Sequence, residues 1–289
     1  MIQRAITVKG FNISNELPIT LIAGPCVIES VEHALDMSGK LKDISIKFGI
    51  PFIYKTSFDK ANRTSRDGFR GANLDKSLYA FEAIKKWNSV PIITDVHKEE
   101  QCEFISKFVD VLQIPAFLCR QTDLLVAAAK TGIPINVKKG QFLSPQEMEH
   151  VVNKMWPHTH NVMLCERGTS FGYNTLINDM TALPIMARLG LPVIFDATHS
   201  VQKPGAGNGC TLGNRDMVPY LARAAVAVGV AGVFMETHED PDNAPSDGPN
   251  MVKLSKLPEI IEQIMEIDFL TKKYLKDSTN HETINYDVV

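Results

Sequence analysis

The feature that most constrains this chain is a regular alternation of short apolar runs with amphipathic segments. Eight apolar runs rich in β-branched residues recur along the 289 residues. Continuous apolar runs of this kind are typical of parallel strands that are covered on both faces. We predict strands at residues 19–24, 52–56, 90–95, 111–114, 135–138, 162–166, 193–196 and 232–236.

Each predicted strand is followed by a segment with helical periodicity, and eight β-α units in about 250 residues match a (β/α)8 TIM barrel. An open, doubly wound α/β sheet is the alternative. Because no composition break, linker or repeat occurs, we predict a single domain over residues 1–289. It would have a short extension before about residue 18 and a polar tail after about residue 276. The predicted helices are 31–48, 74–87, 99–108, 122–130, 145–155, 174–189, 214–228 and 257–267.

The composition excludes several classes of protein. Hydrophobic residues make up 44% of the chain, which is enough for a full core, and the net charge of −3 disfavours nonspecific nucleic-acid binding. The longest apolar run, 224–235, is shorter than the roughly 18–20 residues of a membrane-spanning helix. The first 20 residues lack the hydrophobic stretch of a signal peptide. Five cysteines without a C-x-x-C pair predict reduced thiols and a cytoplasmic protein.

Reactive side chains are concentrated where the predicted strands end. In a barrel all of these positions face one rim, where enzymes of this fold have their active sites, so the sequence predicts an enzyme. The residues at these strand ends are Cys26, Lys55, Lys60, Asn62, Arg63, Asp95, His97, Gln113, Phe117, Lys138, Lys139, Glu166, Arg167, Asp196, His199, Glu236 and His238.

Six cations belong to this rim or lie close to it, namely Lys55, Lys60, Arg63, Arg120, Lys138 and Arg167. A single Lys or Arg is most often a solvated surface charge. Several of these, however, lie inside or beside buried-type strands, where an unpaired charge is costly. Few acidic residues are near them in sequence, so we expect the phosphates and carboxylates of substrates to be their counter-charges. At least two anionic groups are indicated.

Four further residues offer metal ligands of mixed type: Cys26, His199, Glu236 and Asp247. A thiolate, an imidazole and two carboxylates suit Fe²⁺, Zn²⁺ or Mn²⁺. They are far apart in sequence, so only the barrel would bring them together. Taken singly, each has an ordinary alternative: a buried cysteine, a hydrogen-bonded histidine and, for Asp247, a turn residue.

A glycine-rich loop follows the seventh predicted strand, at residues 203–213. It does not match the dinucleotide fingerprint, because the third glycine would have to be residue 210, which is Cys210. We predict a lid whose closure excludes water.

Six sequence blocks in order closely resemble the 3-deoxy-D-manno-octulosonate 8-phosphate synthase family. The resemblance extends from about residue 18 to about residue 265. The blocks are AGPCVIES (23–30), YKTSFDKANRTS (54–65), NVKKGQF (136–142), CERGTSFGY (165–173), FDATHSVQ (195–202) and METH (235–238).

The resemblance implies a (β/α)8 barrel, typically a homotetramer, that condenses phosphoenolpyruvate with D-arabinose 5-phosphate and water. The products would be the eight-carbon sugar acid phosphate used for lipopolysaccharide and inorganic phosphate. The related heptulosonate 7-phosphate synthases use erythrose 4-phosphate, and they usually carry Lys-Pro-Arg-Thr where this chain has Lys60-Ala-Asn-Arg63. The Asn62-Arg63 pair therefore favours the five-carbon sugar phosphate.

The resemblance also implies a role for each candidate residue. Lys60, Lys138 and Arg167 would hold phosphoenolpyruvate, with Lys55 and Gln113 close by. Asn62, Arg63 and Thr64 would orient the sugar phosphate, which Arg120 of a neighbouring subunit would also meet. Asp95 and Phe117 complete the substrate-binding set. The catalytic set is Lys60, Asn62, Lys138, His199 and Asp247.

Metal dependence follows from the same resemblance. Metal-independent members have Asn at the position of Cys26, so this chain is similar to the metal-dependent type. Cys26, His199, Glu236 and Asp247 would bind Fe, Zn or Mn, and no organic cofactor is implied. Two other hypotheses remain open: a Schiff-base aldolase that uses Lys55 or Lys138 as nucleophile, and a non-catalytic sugar-phosphate sensor.

Overall fold

A computed structural model describes residues 3–63, 65–66, 68–207 and 211–280, with side chains through residue 275. Strands and helices alternate along most of the chain. The strands are β1 (Ile6–Val8), β2 (Phe11–Ile13), β3 (Thr20–Gly24), β4 (Phe52–Lys55), β5 (Ile92–Asp95), β6 (Val111–Ile114), β7 (Ile135–Lys138), β8 (Val162–Glu166), β9 (Thr169–Ser170), β10 (Leu176–Ile177), β11 (Val193–Asp196), β12 (Gln202–Lys203), β13 (Leu212–Gly213), β14 (Gly232–His238) and β15 (Val252–Lys253). The α-helices are α1 (Val31–Phe48), α2 (Leu74–Trp87), α3 (Glu99–Ile105), α4 (Thr122–Lys130), α5 (Met148–Met155), α6 (Ala182–Ala187), α7 (Val218–Val228) and α8 (Leu257–Asn280).

The eight long parallel strands close into a barrel. Neighbouring strands pair in the order β3, β4, β5, β6, β7, β8, β11 and β14, and β14 pairs back onto β3 with Val233 opposite Leu21. The β11–β14 pairing, with Phe195 opposite Val233, completes the ring. This closure confirms the predicted (β/α)8 barrel, a single domain, and excludes the open sheet. No helix in the described part of the chain is long and apolar enough to span a bilayer.

The N-terminal residues close the lower end of the barrel. The β1–β2 hairpin buries Ile6, Val8 and Ile13 against inward-facing barrel residues such as Ile22 and Phe234. The start of the chain, which the sequence predicts as a short extension, is therefore packed under the barrel.

Five of the eight helices differ from the predicted bounds. α3 ends at Ile105 rather than at 108, α5 begins at Met148 rather than at 145, and α7 begins at Val218 rather than at 214. The larger differences are at α6 and α8. The segment expected to begin a helix at residue 174 instead forms the β9–β10 hairpin, and α6 begins only at Ala182. Gly172 and Asn174 both have positive φ, which makes the tight turn that a helix could not contain. The last helix was expected to end at 267, but α8 continues to Asn280. Residues 281–289 of the predicted tail lie outside the described residues.

Candidate active site

The site is built by the two-residue alternation of the barrel strands. Ile53, Ile93 and Phe234 belong to the apolar barrel interior. A side chain two positions further along a strand faces the same way, so Lys55, Asp95 and Glu236 follow at the carboxyl end. The other strands repeat this pattern and give a buried polar ring. Its members are Lys55, Asp95, Gln113, Lys138, Arg167, Asp196 and Glu236.

The strand β3 alone contributes no side chain to this ring, because Gly24 occupies the corresponding position. A Cβ at Gly24 would overlap the carbonyl oxygen of Lys55. The glycine thus permits β3 and β4 to approach closely, with the Cys26 carbonyl oxygen 3.1 Å from the Lys55 amine.

A cavity of about 620 Å³ lies above the ring, within the size range of small-molecule sites. Most of the predicted substrate-binding residues line it. Cys26 and Glu236 are buried next to Lys55 rather than lining the cavity. Arg120 is exposed and does not line it either, and Thr64 lies outside the described residues. The lining residues that the sequence predicted are Lys55, Lys60, Asn62, Arg63, Asp95, Gln113, Phe117, Lys138, Arg167, His199 and Asp247.

Two of the buried lysines are neutralised by the protein itself. Lys55 is 2.5 Å from Glu236, and Lys138 is 2.5 Å from Asp196. Burial disfavours the charged form of Lys138, but the surrounding negative charges, Asp196 foremost, together outweigh burial and raise the pKa of this lysine. We had expected substrate anions as the counter-charges. That expectation is wrong for these two lysines, because their partners come from other strands.

Arg167 differs from these lysines, because part of its guanidinium is unpaired. Its Nη2 donates to Gln202 Oε1 at 2.6 Å. Its Nε and Nη1 are buried and have no hydrogen-bond partner among the described residues. Burial lowers the pKa of Arg167, although a guanidinium remains charged under all ordinary conditions. An anion within hydrogen-bond distance of both nitrogen atoms would satisfy them, whereas without one they stay unsatisfied at a cost.

The predicted metal ligands also lie together. The ligand atoms of Cys26, Glu236 and Asp247 lie within 4.8 Å of one another, and His199 Nε2 is 3.9 Å from Glu236 Oε1. Glu236 Oε2 is buried and has no partner among the described residues. Its unused lone pairs and the mixed donor set fit a divalent cation.

The Cys26 thiol and the Asp247 carboxylate are joined by a hydrogen bond in which the thiol supplies the proton. Cys26 Sγ donates to Asp247 Oδ2 at 3.0 Å and lies 2.9 Å from Ser246 Oγ. Burial, with the charges of Asp247 and Glu236, raises the pKa of the Cys26 thiol. A cation among these atoms would take the place of that proton, as metal binding to cysteine generally does.

His199 is oriented by a residue to which we had assigned no role. Its Nδ1 is 2.8 Å from Asp196 Oδ2, and its backbone N–H donates to Asp196 Oδ1 at 2.9 Å. A carboxylate on Nδ1 fixes the ring so that Nε2 faces Glu236, an arrangement common behind histidine ligands. The sequence signal was available, since Asp196 is the inward-facing residue two positions after Ile194.

A chain of amides orders the opposite wall of the cavity. Gln113 Nε2 donates to Asp95 Oδ1 at 2.8 Å, and Asn136 Nδ2 donates to Gln113 Oε1 at 2.9 Å. Ser57 also donates to Asp95. Asn136 was not among the predicted site residues, and it contacts the polar ring through Gln113.

The loop after β4 carries the residues expected to meet the sugar phosphate. Lys60 Nζ donates to Ser57 Oγ at 3.0 Å. Arg63 Nε donates to the carbonyl oxygen of Phe69 at 2.8 Å, and Arg63 Nη2 is buried without a partner among the described residues. Asn62 is exposed, and Phe117 is exposed to 54% at the cavity mouth. Arg63 therefore offers a second incompletely bonded guanidinium.

The predicted lid begins and ends in the paired strands β12 and β13. Pro204, Gly205 and Thr211 line the cavity. Cys210 lies outside the described residues, and whether the loop closes stays a prediction.

The fold and this cavity define a (β/α)8-barrel enzyme with its site at the carboxyl ends of the strands. The model of the DAHP synthetase I family matches residues 4–273. The chain belongs to this family, which confirms the resemblance found in the sequence.

Three curated relatives show the same relationship over nearly the whole chain, and each is named 2-dehydro-3-deoxyphosphooctonate aldolase. The protein of Chelativorans sp. (strain BNC1) is 62% identical over 260 residues, covering 90% of this chain and 94% of the relative. That of Bartonella quintana (strain Toulouse) is 60% identical over 279 residues, covering 94% and 99%. That of Brucella ovis is 58% identical over 275 residues, also covering 94% and 99%.

Proposed function

We propose that this chain condenses phosphoenolpyruvate with D-arabinose 5-phosphate and water, and that it releases 3-deoxy-D-manno-octulosonate 8-phosphate and inorganic phosphate. The relatives carry a name for the same eight-carbon acid phosphate. This name favours the five-carbon sugar phosphate over erythrose 4-phosphate. The reaction would serve lipopolysaccharide sugar biosynthesis. A cytoplasmic location is supported by the free thiols of Cys26, Cys102, Cys119 and Cys165.

The observation that carries the proposal is the unsatisfied guanidinium of Arg167 in the polar ring, beside the fixed cations Lys55 and Lys138. Phosphoenolpyruvate has a phosphate and a carboxylate, and both groups suit a guanidinium. Arg167, Lys138 and Lys60 would hold these two groups, with Lys55 and Gln113 adjacent.

The sugar phosphate would occupy the outer part of the cavity. Arg63 has an unpartnered Nη2 for its phosphate, and Asn62 and Thr64 complete the loop that carries this arginine. Asp95 and Phe117 would contact the sugar from the facing wall and the mouth. Arg120, which does not line this chain's own cavity, would reach the phosphate from a neighbouring subunit of a homotetramer.

The reaction joins two carbons and breaks one C–O bond. Carbon 3 of phosphoenolpyruvate attacks the aldehyde carbon, whose oxygen takes up a proton. Water adds at carbon 2 and gives up a proton, and phosphate leaves with the oxygen of the broken C–O bond. Lys138 and Arg167 would stabilise the charge that develops at carbon 2 and on the departing phosphate. The confined cavity would hold the two carbons in reach of each other.

Cys26, His199, Glu236 and Asp247 would hold a divalent cation, Fe, Zn or Mn. When bound, such a cation supplies Lewis-acid polarisation and a fixed position for the aldehyde or for water. Asp196 keeps the Nε2 atom of His199 directed at this group. No organic cofactor is part of the proposal.

The Schiff-base alternative is disfavoured by the state of the lysines. A lysine nucleophile must be neutral to attack a carbonyl group, and enzymes achieve this by lowering its pKa. Here the pKa of Lys138 is raised, and Lys55 is held by the buried carboxylate of Glu236.

A phosphate-release assay tests the proposal. Protein with added Mn²⁺ should release phosphate from phosphoenolpyruvate only when arabinose 5-phosphate is present, with much lower rates for erythrose 4-phosphate. Chelator should abolish release, and borohydride should trap no adduct on Lys55 or Lys138. Equal rates with the four-carbon sugar would favour heptulosonate synthesis, and a trapped adduct would favour the aldolase. No product with either sugar, in the presence of Mn²⁺ or Fe²⁺, would favour the sugar-phosphate sensor.

A further inference from the structure

Gln202 connects Arg167, a candidate anion-binding residue, with Asp247, a candidate metal ligand. It lies at the start of β12, where the predicted lid begins. Arg167 Nη2 donates to its Oε1 at 2.6 Å, and its Nε2 donates to Asp247 Oδ1 at 3.0 Å. These bonds join the buried arginine that lines the cavity to a carboxylate of the candidate metal ligands.

Only a neutral group with both a donor and an acceptor can occupy this position. A guanidinium only donates hydrogen bonds and a carboxylate only accepts them. A carboxylate in place of the Gln202 amide would repel Asp247, and an ammonium would repel Arg167. The two neighbouring charges therefore determine which end of the amide faces which neighbour.

Each of the two neighbours keeps other atoms free for a ligand. Arg167 bonds Gln202 through Nη2 and leaves Nε and Nη1 without a partner in the described part of the protein. Asp247 bonds Gln202 through Oδ1 and turns Oδ2 toward Cys26. We propose that Gln202 is a positioning residue that couples phosphoenolpyruvate binding at Arg167 to divalent-cation binding at Asp247. This inference rests on the function proposed above.

The coupling is expected to be favourable in both directions. Asp247 has a left-handed backbone with φ of 54°, which is uncommon for a residue other than glycine. Its carboxylate is held by side-chain contacts with Gln202, Cys26 and Ser246. An anion that immobilises Arg167 immobilises the amide and hence the carboxylate. By linkage, the cation must tighten anion binding by the same factor.

The test measures binding and does not depend on turnover. The Mn²⁺ dissociation constant of chelator-treated protein is measured by competition with a fluorescent chelator, without and with saturating phosphoenolpyruvate. We expect phosphoenolpyruvate to tighten Mn²⁺ binding by about fivefold or more in the wild type. Gln202→Met keeps the length of the side chain but removes both hydrogen bonds, so the factor should fall below about twofold.

Gln263→Met is the matched control. Gln263 Oε1 accepts from Arg223 Nη1 at 2.6 Å, so α7 and α8 share the same kind of amide–guanidinium bond. Neither residue lines the cavity. This variant should keep the coupling factor of the wild type.

Gln202→Glu decides the question if the methionine variant fails to fold, as judged by circular dichroism. It keeps an acceptor for Arg167 but repels Asp247, so its factor should also be below about twofold. A wild type without coupling, or a position-202 variant that keeps the full factor, would overturn the inference. Phosphate release by the same wild-type preparation separates this failure from failure of the proposed function.

Discussion

Replacing Lys139 by methionine tests how the ends of β7 and β8, which carry Lys138 and Arg167, are held together. Lys139 follows Lys138 in sequence and is fully buried. Its amine donates to Thr169 Oγ1 at 3.0 Å and to two backbone carbonyl oxygens, and it is 3.6 Å from Glu166 Oε2. Glu166 Oε1 in turn accepts from the backbone N–H groups of Arg167 and Gly168. The pair therefore closes the turn that positions Arg167.

The expected loss of unfolding free energy follows from the charge of Glu166, which Lys139→Met would leave buried without its partner. Breaking a buried ion pair by removing one partner costs roughly 3–5 kcal/mol, because the other charge stays buried and uncompensated. Glu166 keeps its two backbone donors, so we expect the lower end, about 3 kcal/mol of unfolding free energy. Adding Glu166→Gln removes the stranded charge, and the two changes should couple by roughly 1–3 kcal/mol.

The loss of stability caused by Lys139→Met should increase with pH. Burial raises the pKa of Glu166, and the Lys139 charge opposes this. Without Lys139 the folded-state pKa rises further above the unfolded value. A raised folded-state pKa gives stability that is present at low pH and is lost as the pH rises through that pKa. The cost of Lys139→Met should therefore be smaller at pH 5 than at pH 8.

Urea unfolding at both pH values measures these quantities. Lys107→Met is the control, because its 3.8 Å pair with Glu103 is exposed and should contribute less than about 0.5 kcal/mol. A cost for Lys139→Met below about 1 kcal/mol, or one that grows as the pH falls, would refute the reasoning about a stranded buried charge.

Three further changes have expected outcomes. Cys26→Ala should abolish both metal retention and activity, whereas Cys26→Asn should leave some metal-free turnover; an alanine variant fully active after chelation would contradict the metal assignment. Arg63→Ala should raise the KM of arabinose 5-phosphate about tenfold or more and that of phosphoenolpyruvate far less, and equal effects would contradict the proposed division of the cavity. Gly24→Ala should destabilise the fold by several kcal/mol in urea unfolding, because its Cβ would overlap the Lys55 carbonyl oxygen; a change below about 1 kcal/mol would show that the two strands can separate there.

The fold was largely predictable because its pattern is local. α1, α2 and α4 have the predicted bounds, and the barrel strands agree within two residues, since continuous apolar runs and helical periodicity are both visible in short windows. The segment at 174–189 failed for a local reason as well. Positive φ at Gly172 and Asn174 turns the chain into a hairpin before any helical turn can form.

The site was predictable only in part. Positions at strand ends follow from the predicted strands, which is how Lys55, Lys138 and Arg167 were singled out as cations inside or beside buried-type strands. The bonds between side chains are not local, because Cys26 and Asp247 are 221 positions apart and meet only in the closed barrel. The role of Gln202 gave no sequence signal of its own, since it depends on two neighbours, Arg167 and Asp247, from the loops after β8 and β14.

The pairing of Lys55 and Lys138 with carboxylates changes what these two lysines of the buried polar ring can contribute. A lysine waiting for substrate as its only counter-charge would be an unpaired buried charge in the empty enzyme. Glu236 and Asp196 remove that cost and hold each amine in one place. The lysines can then present a preorganised field to charge that develops during the reaction. Arg167, whose Nε and Nη1 have no partner among the described residues, is the ring member that gains most from a substrate anion. We therefore expect Arg167 to contribute most to ground-state anion binding, and the paired lysines to contribute most to the transition state.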